Sequence, residues 1–172
     1  MQFFANRGHP VVGMDPSPDI EPPKNITDLN PWSVFLPYGL VGNGYPTRSQ
    51  LRMTDDPEAR HVVFAGKEHD PFIQCMTLEQ AMQECKINTW DLVKLNIEGA
   101  EYDILSQWPG PIAKQIVVSF HEHTSEGRGG SEVGRIMEHL GKWYQVIQHV
   151  NEPRYGCASN WWDTVLVQKG LV

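Results

Sequence analysis

The stretch from Asp91 to Leu105, DLVKLNIEGAEYDIL, constrains the fold more than any other part of the chain. Val93, Leu95 and Ile97 fall on one side of an extended segment, the period of a half-buried strand. The chain turns at Glu98-Gly99, and Ala100, Ile104 and Leu105 then share one face of a helix. A strand that passes straight into a helix through an acidic turn is half of a βαβ unit. In open α/β sheets, ligands collect at the carboxyl ends of the strands. Asn96 and Glu98 stand at that end, with Lys94 two residues earlier on the same face. Glu98 has two readings: a first-turn acid favoured by the helix dipole, or a group that faces a ligand.

The flanking segments supply the other layers. Residues 1–8 read as the end of a helix, stopped by Asn6 and Gly8. Pro10 to Asp15, PVVGMD, is a short apolar strand ending on an acid. That acid can accept hydrogen bonds from ribose hydroxyls, or it can simply form a turn before proline. Asn25 to Leu29 has room for one helical turn. Val34 to Val41 reads as a strand, and Pro37 inside it argues for an edge or a break. GLVGNG resembles a phosphate loop only superficially, because no helix pattern follows it, so it is a turn. Gln50–Met53, His61–Ala65 and Phe72–Met76 are strand-like and predict an antiparallel insert.

Thr77 to Cys85 predicts a helix with a capping box between Thr77 and Gln80. Leu78, Ala81, Met82 and Cys85 recur at helical spacing, which makes Cys85 a core thiol and not a nucleophile. After Pro109-Gly110-Pro111, Gln115 to Phe120 reads as a buried strand ending in His121-Glu122-His123. Ser131 is placed to cap a helix carrying Val133, Ile136, Met137 and Leu140 on one face. Trp143–Val150 and Trp161–Gln168 are two final strands, and Trp161-Trp162 reads as packing in preference to a stacking platform, because apolar residues resume soon after it.

At 172 residues the chain is one domain, spanning 1–172. The formal net charge of -7 disfavours nonspecific binding to nucleic acid or to an anionic membrane surface. Three scattered cysteines, with no CxxC spacing, fit a reducing cytoplasm better than a disulfide framework. No run of roughly 18 or more apolar residues is present to span a membrane.

Taken together, DPSP, the TLEQAM helix, KLNIEGAEYDIL and the SFHEH strand end resemble the FkbM family of S-adenosylmethionine-dependent methyltransferases. The resemblance runs along residues 10–168. It implies a Rossmann-like, mostly parallel sheet with an antiparallel terminal strand, and methyl transfer, usually to an oxygen, with S-adenosyl-L-methionine as donor. The acceptor it implies is a small molecule or a glycan. By position, Asp15 takes the place of the ribose-binding acid, and Leu40 falls where the adenine ring is flanked. Asn96 and Glu98 match the family's turn, which more often reads Asp-x-Glu, and Glu122 matches the acid at the next strand end, beside His123.

A hydroxyl acceptor must lose its proton to a His or carboxylate within hydrogen-bond reach. Glu98, Glu122 and His123 are the catalytic candidates, with His121 beside them. The HEH cluster could otherwise hold a metal or form a polar rim. If the strand continues through it, His121 and His123 share one face and Glu122 lies on the other, so the three cannot converge; no metal is assigned. The family fold begins with a strand and a glycine-rich loop that contacts the cofactor, and no GxGxxG-like motif precedes Asp15. That strand belongs between those ending at Asp15 and Asn96. A truncated member, a misplaced start codon, or a remodelled member that has lost cofactor binding is therefore expected, and these two strands pair directly or leave a gap. The competing reading is a remnant or interaction module that keeps the fold without binding cofactor.

Overall fold

The computed structural model describes residues 2–18, 30–53, 61–63, 68–121, 130–153 and 160–171. Its elements are α1 (Gln2–Ala5), β1 (Val12–Met14), β2 (Val34–Leu36), β3 (Gly39–Leu40), β4 (Arg48–Arg52), β5 (His61–Val63) and β6 (Phe72–Met76). There follow α2 (Leu78–Cys85), β7 (Trp90–Leu95), α3 (Ala100–Ser106), β8 (Ala113–His121), α4 (Gly130–Leu140), β9 (Tyr144–Pro153) and β10 (Asn160–Gln168).

The fold is mixed α/β, with sheets of mixed strand direction. The described strands form three sheets, β1-β2, β3-β6-β4-β5 and β7-β8-β10-β9. The sheet that carries the central stretch has one parallel pair, β7 with β8, and two antiparallel pairs that bring β10 between β8 and β9. β1 pairs in parallel with β2 alone, and β7 with β8 alone, among the described residues. The strands ending at Asp15 and Asn96 do not pair with each other among the described residues. The reason is physical: pairing of distant strands depends on which backbone edges meet, and that information is not in the local period.

Alternation sets the core. Ile116, Val118 and Phe120 of β8 are fully buried, and their cross-strand partners Leu166, Thr164 and Trp162 of β10 lie on the same face. Val93 and Leu95 of β7 continue that face. α3 and α4 cover it with Tyr102, Ile104 and Leu105, and with Val133, Ile136 and Leu140. Tyr102 meets Phe120 edge to face, with centroids 5.4 Å apart. Full burial of a side chain such as Leu105 contributes about 1.5–3 kcal/mol. A smaller cluster, Val41, Leu51, Ile73 and Cys75, holds the β3–β6 sheet.

Local chemistry explains the boundaries. α2 starts at the expected capping box: Thr77 Oγ1 accepts from the Gln80 N–H, and Gln80 Oε1 accepts from the Thr77 N–H at 2.8 Å. Pro37 splits the Val34–Val41 run into β2 and β3, where the Tyr38 N–H turns back to the Leu36 carbonyl at 2.8 Å. The expected strands at 48–76 form antiparallel pairs β4–β5 and β4–β6. Ser131 does not cap α4, because the helix already includes Gly130. Cys85 is half-buried, and its thiol is pushed up by burial and by Glu84. Asn25–Leu29 lies outside the described residues. No helix among the described residues is long and apolar enough to cross a membrane.

Candidate functional site

β7 ends at Leu95, and Asn96 follows it, exposed. Alternation alone would then send Glu98 outward with Lys94 and Asn96. Instead Glu98 takes φ +53 and Gly99 φ +105, two successive residues in the left-handed region. A side chain in that region costs about 1–2 kcal/mol relative to glycine. The turn swings the Glu98 carboxylate inward, where the residue is only 7% exposed. Strained backbone of this kind concentrates at ligand sites.

The same turn brings in a carboxylate that the sequence reading had left inside the helix pattern. Glu101, near the start of α3, is fully buried. Its Oε2 accepts the Gly99 N–H at 2.8 Å, closing the turn. Its Oε1 accepts the backbone N–H of His121 at 2.8 Å and lies 2.8 Å from His121 Nδ1. On the other side of the ring, His121 Nε2 is 3.0 Å from Glu98 Oε1. Thus the imidazole at the end of β8 is clamped between two carboxylates from the end of β7 and the start of α3.

The electrostatics follow from that geometry. Burial by itself disfavours a charged His121, but hydrogen bonds and charge from Glu101 and then Glu98 outweigh it, so the imidazolium persists up to about pH 9. A protonated ring has no lone pair with which to take a proton or bind a metal. His121 therefore braces the turn between Glu98 and Glu101. Two carboxyl groups thus face one imidazole, at 3.0 Å and 2.8 Å. Among the described residues, no group of three or more His, Cys, Asp or Glu side chains is arranged to hold a metal ion.

The other expected site residues are distributed as follows. Asp15 stands just beyond the carboxyl end of β1, half-buried, and its Oδ1 accepts the Ser17 N–H at 2.8 Å, the local turn that the following proline favours. Leu40 ends β3 inside the main core. Glu122 and His123 lie outside the described residues. The GLVGNG turn is a packing element: a Cβ on Gly42 would sit 2.9 Å from Asp103 Cβ, and Tyr45 OH donates to Asp103 Oδ2 at 2.7 Å. Glu101 was the residue missed. Its signal was the E-G-x-E spacing, which puts a second acid three residues after Glu98 in the first helical turn.

Comparison with protein families bears on this site. The methyltransferase FkbM domain matches residues 2–150, and the chain belongs to that family. Among curated proteins and among solved structures nothing matches.

Proposed function

We propose that this chain is an S-adenosylmethionine-dependent methyltransferase that transfers a methyl group to a hydroxyl of a small molecule or glycan. The observation that carries the reading is the buried Glu98–His121–Glu101 cluster at the carboxyl ends of β7 and β8, within a matched methyltransferase domain. When bound, the donor supplies a methyl group on a cationic sulfonium. A buried strand end lined by two carboxyl groups suits such a cation, because charge interactions strengthen as water is excluded. Asp15 fits a contact to the ribose hydroxyls, with the Ser17 N–H fixing its carboxylate. Asn96, exposed beside the turn, fits a polar contact to the donor. Leu40 would flank the adenine.

The residues' own work is positioning and proton removal. Glu101 and His121 hold the turn and so fix where Glu98 points. Glu98, and Glu122 or His123 beyond the described part of the site, take the proton from the acceptor hydroxyl as its oxygen forms the new C–O bond. The donor, where bound, would supply the leaving group, its sulfur keeping the electron pair of the S–C bond. The scattered cysteines support a reducing cytoplasmic location.

The test is transfer of a labelled methyl group to a panel of alcohols and phenols. Glu98→Gln should lower kcat by about 10²–10⁴ and leave S-adenosylhomocysteine affinity within about threefold. Unchanged kcat would remove Glu98 from proton transfer. A second reading, a module that keeps the fold without catalysis, is favoured by one observation: β1 and β7 each have one strand neighbour among the described residues. A folded chain that turns over the donor excludes it.

A further inference from the structure

A cavity of about 340 Å³ lies between α4 and the β9–β10 pair, lined by Val133, Gly134, Met137, Val146, His149 and Trp162 among others. Its volume is in the range of small-molecule sites, about 300–1,000 Å³. Trp162 pairs across the sheet with Phe120, the residue before His121, so the cavity lies one strand over from the Glu98–His121 cluster.

We infer that this cavity seats the ring of the methyl acceptor, and that the acceptor is a flat, apolar, ring-bearing hydroxyl compound, a phenol in preference to a sugar. The inference rests on the methyltransferase reading and narrows its substrate class.

The first argument is the aromatic wall. His149 is on an edge strand and exposed, yet its ring is fixed. It stacks on Trp162 with centroids 4.8 Å apart and planes 16° apart. Its Nδ1 is also 2.7 Å from the hydroxyl of Thr164, a fully buried residue. A pinned pair of flat rings is a preorganised surface for another flat ring, and binding to it loses little side-chain freedom.

The second argument is Gly134. It sits inside an 11-residue helix, where glycine is about 1 kcal/mol less favourable than alanine. A Cβ there would meet nothing within 4 Å. Gly134 is exposed at the rim of the cavity, so a long side chain added there can reach over the opening without displacing packed atoms.

The third argument is chemical. No Asp, Glu, Asn, Gln, Lys or Arg lines the cavity among the described residues. Sugar hydroxyls need several such partners, since each buried polar group left unpaired costs about 1–3 kcal/mol. An aromatic ring needs none.

The experiment is calorimetric titration of the full chain with 1-naphthol and, separately, with methyl glucoside. 1-Naphthol should bind with a Kd of about 0.1 mM or tighter, and the glucoside at least tenfold more weakly. Gly134→Met, which fills the space from a position where the chain meets no atoms, should raise the naphthol Kd about tenfold or more. A cooperative thermal transition of Gly134→Met with Tm no lower than that of the parent chain separates filling from folding. No naphthol binding, an unchanged Kd in Gly134→Met, or equal glucoside affinity would overturn the proposal. S-adenosylhomocysteine titrated in parallel separates the two readings. Naphthol bound without it keeps the ring site and overturns the transferase role. Homocysteine derivative bound without naphthol does the reverse.

Discussion

One carboxylate oxygen of Glu101 holds His121 twice, accepting its backbone N–H at 2.8 Å and facing its ring Nδ1 at 2.8 Å. The oxygen thereby ties the end of β8 to the start of α3 through main chain and side chain together. The carboxylate's other oxygen closes the Glu98–Gly99 turn. Removal of its charge should be felt well beyond one contact. Glu101→Gln should lower unfolding free energy by about 3–5 kcal/mol, the usual effect of leaving one partner of a buried ion pair uncompensated. Urea unfolding measures it as a lower midpoint at unchanged slope. A loss under about 1 kcal/mol would show that the clamp is not structural.

The same pair sets a pH dependence. His121 ionises near 6.5 when unfolded and near 9 when folded, so the folded state binds the proton more tightly. Its contribution is fully present below about pH 6.5 and is lost as pH rises through about 9. The slope approaches about 1.4 kcal/mol per pH unit between those values. Urea midpoints at intervals from pH 6 to 9.5 should fall steadily. Constant stability across that window would contradict a buried imidazolium.

Much of this arrangement was legible in the sequence, and the rest was not for a definable reason. Val93, Leu95, Ile104 and Leu105 are buried where the period put them, and the Thr77–Gln80 capping box closes as its spacing requires. These features depend on neighbours within a turn or a strand. The Glu101–His121 contact spans 20 residues and exists only because β7 and β8 pair in parallel. The inward swing of Glu98 depends on a positive φ that alternation cannot anticipate. The division into three sheets has the same origin, since strand pairing is long-range.

Gly42 gives a third prediction, on packing. A Cβ there would lie 2.9 Å from Asp103 Cβ and 3.0 Å from the Asp103 backbone carbon and oxygen. Backbone of α3 cannot rotate away as a side-chain tip can. Gly42→Ala should therefore cost about 1–3 kcal/mol, a fall in Tm of several degrees for a chain of this size. An unchanged Tm would mean that the turn is not seated on α3.

Asp15 gives a fourth. Asp15→Asn keeps an oxygen for the Ser17 N–H and so preserves the turn. It removes the carboxylate that the proposed ribose contact would use. S-adenosylhomocysteine affinity should drop by about 1–3 kcal/mol, roughly 5- to 150-fold, with Tm unchanged. Equal affinity in the variant would return Asp15 to a turn-forming role alone.

The central claim is that the β7 strand end, with its Glu98–His121–Glu101 cluster, belongs to a working cofactor site. Calorimetric titration of S-adenosylhomocysteine into the folded 172-residue chain tests it most directly. The account predicts one-site binding at micromolar Kd, about 8 kcal/mol of binding free energy. No heat of binding at millimolar ligand, in a chain with a cooperative unfolding transition, would contradict it.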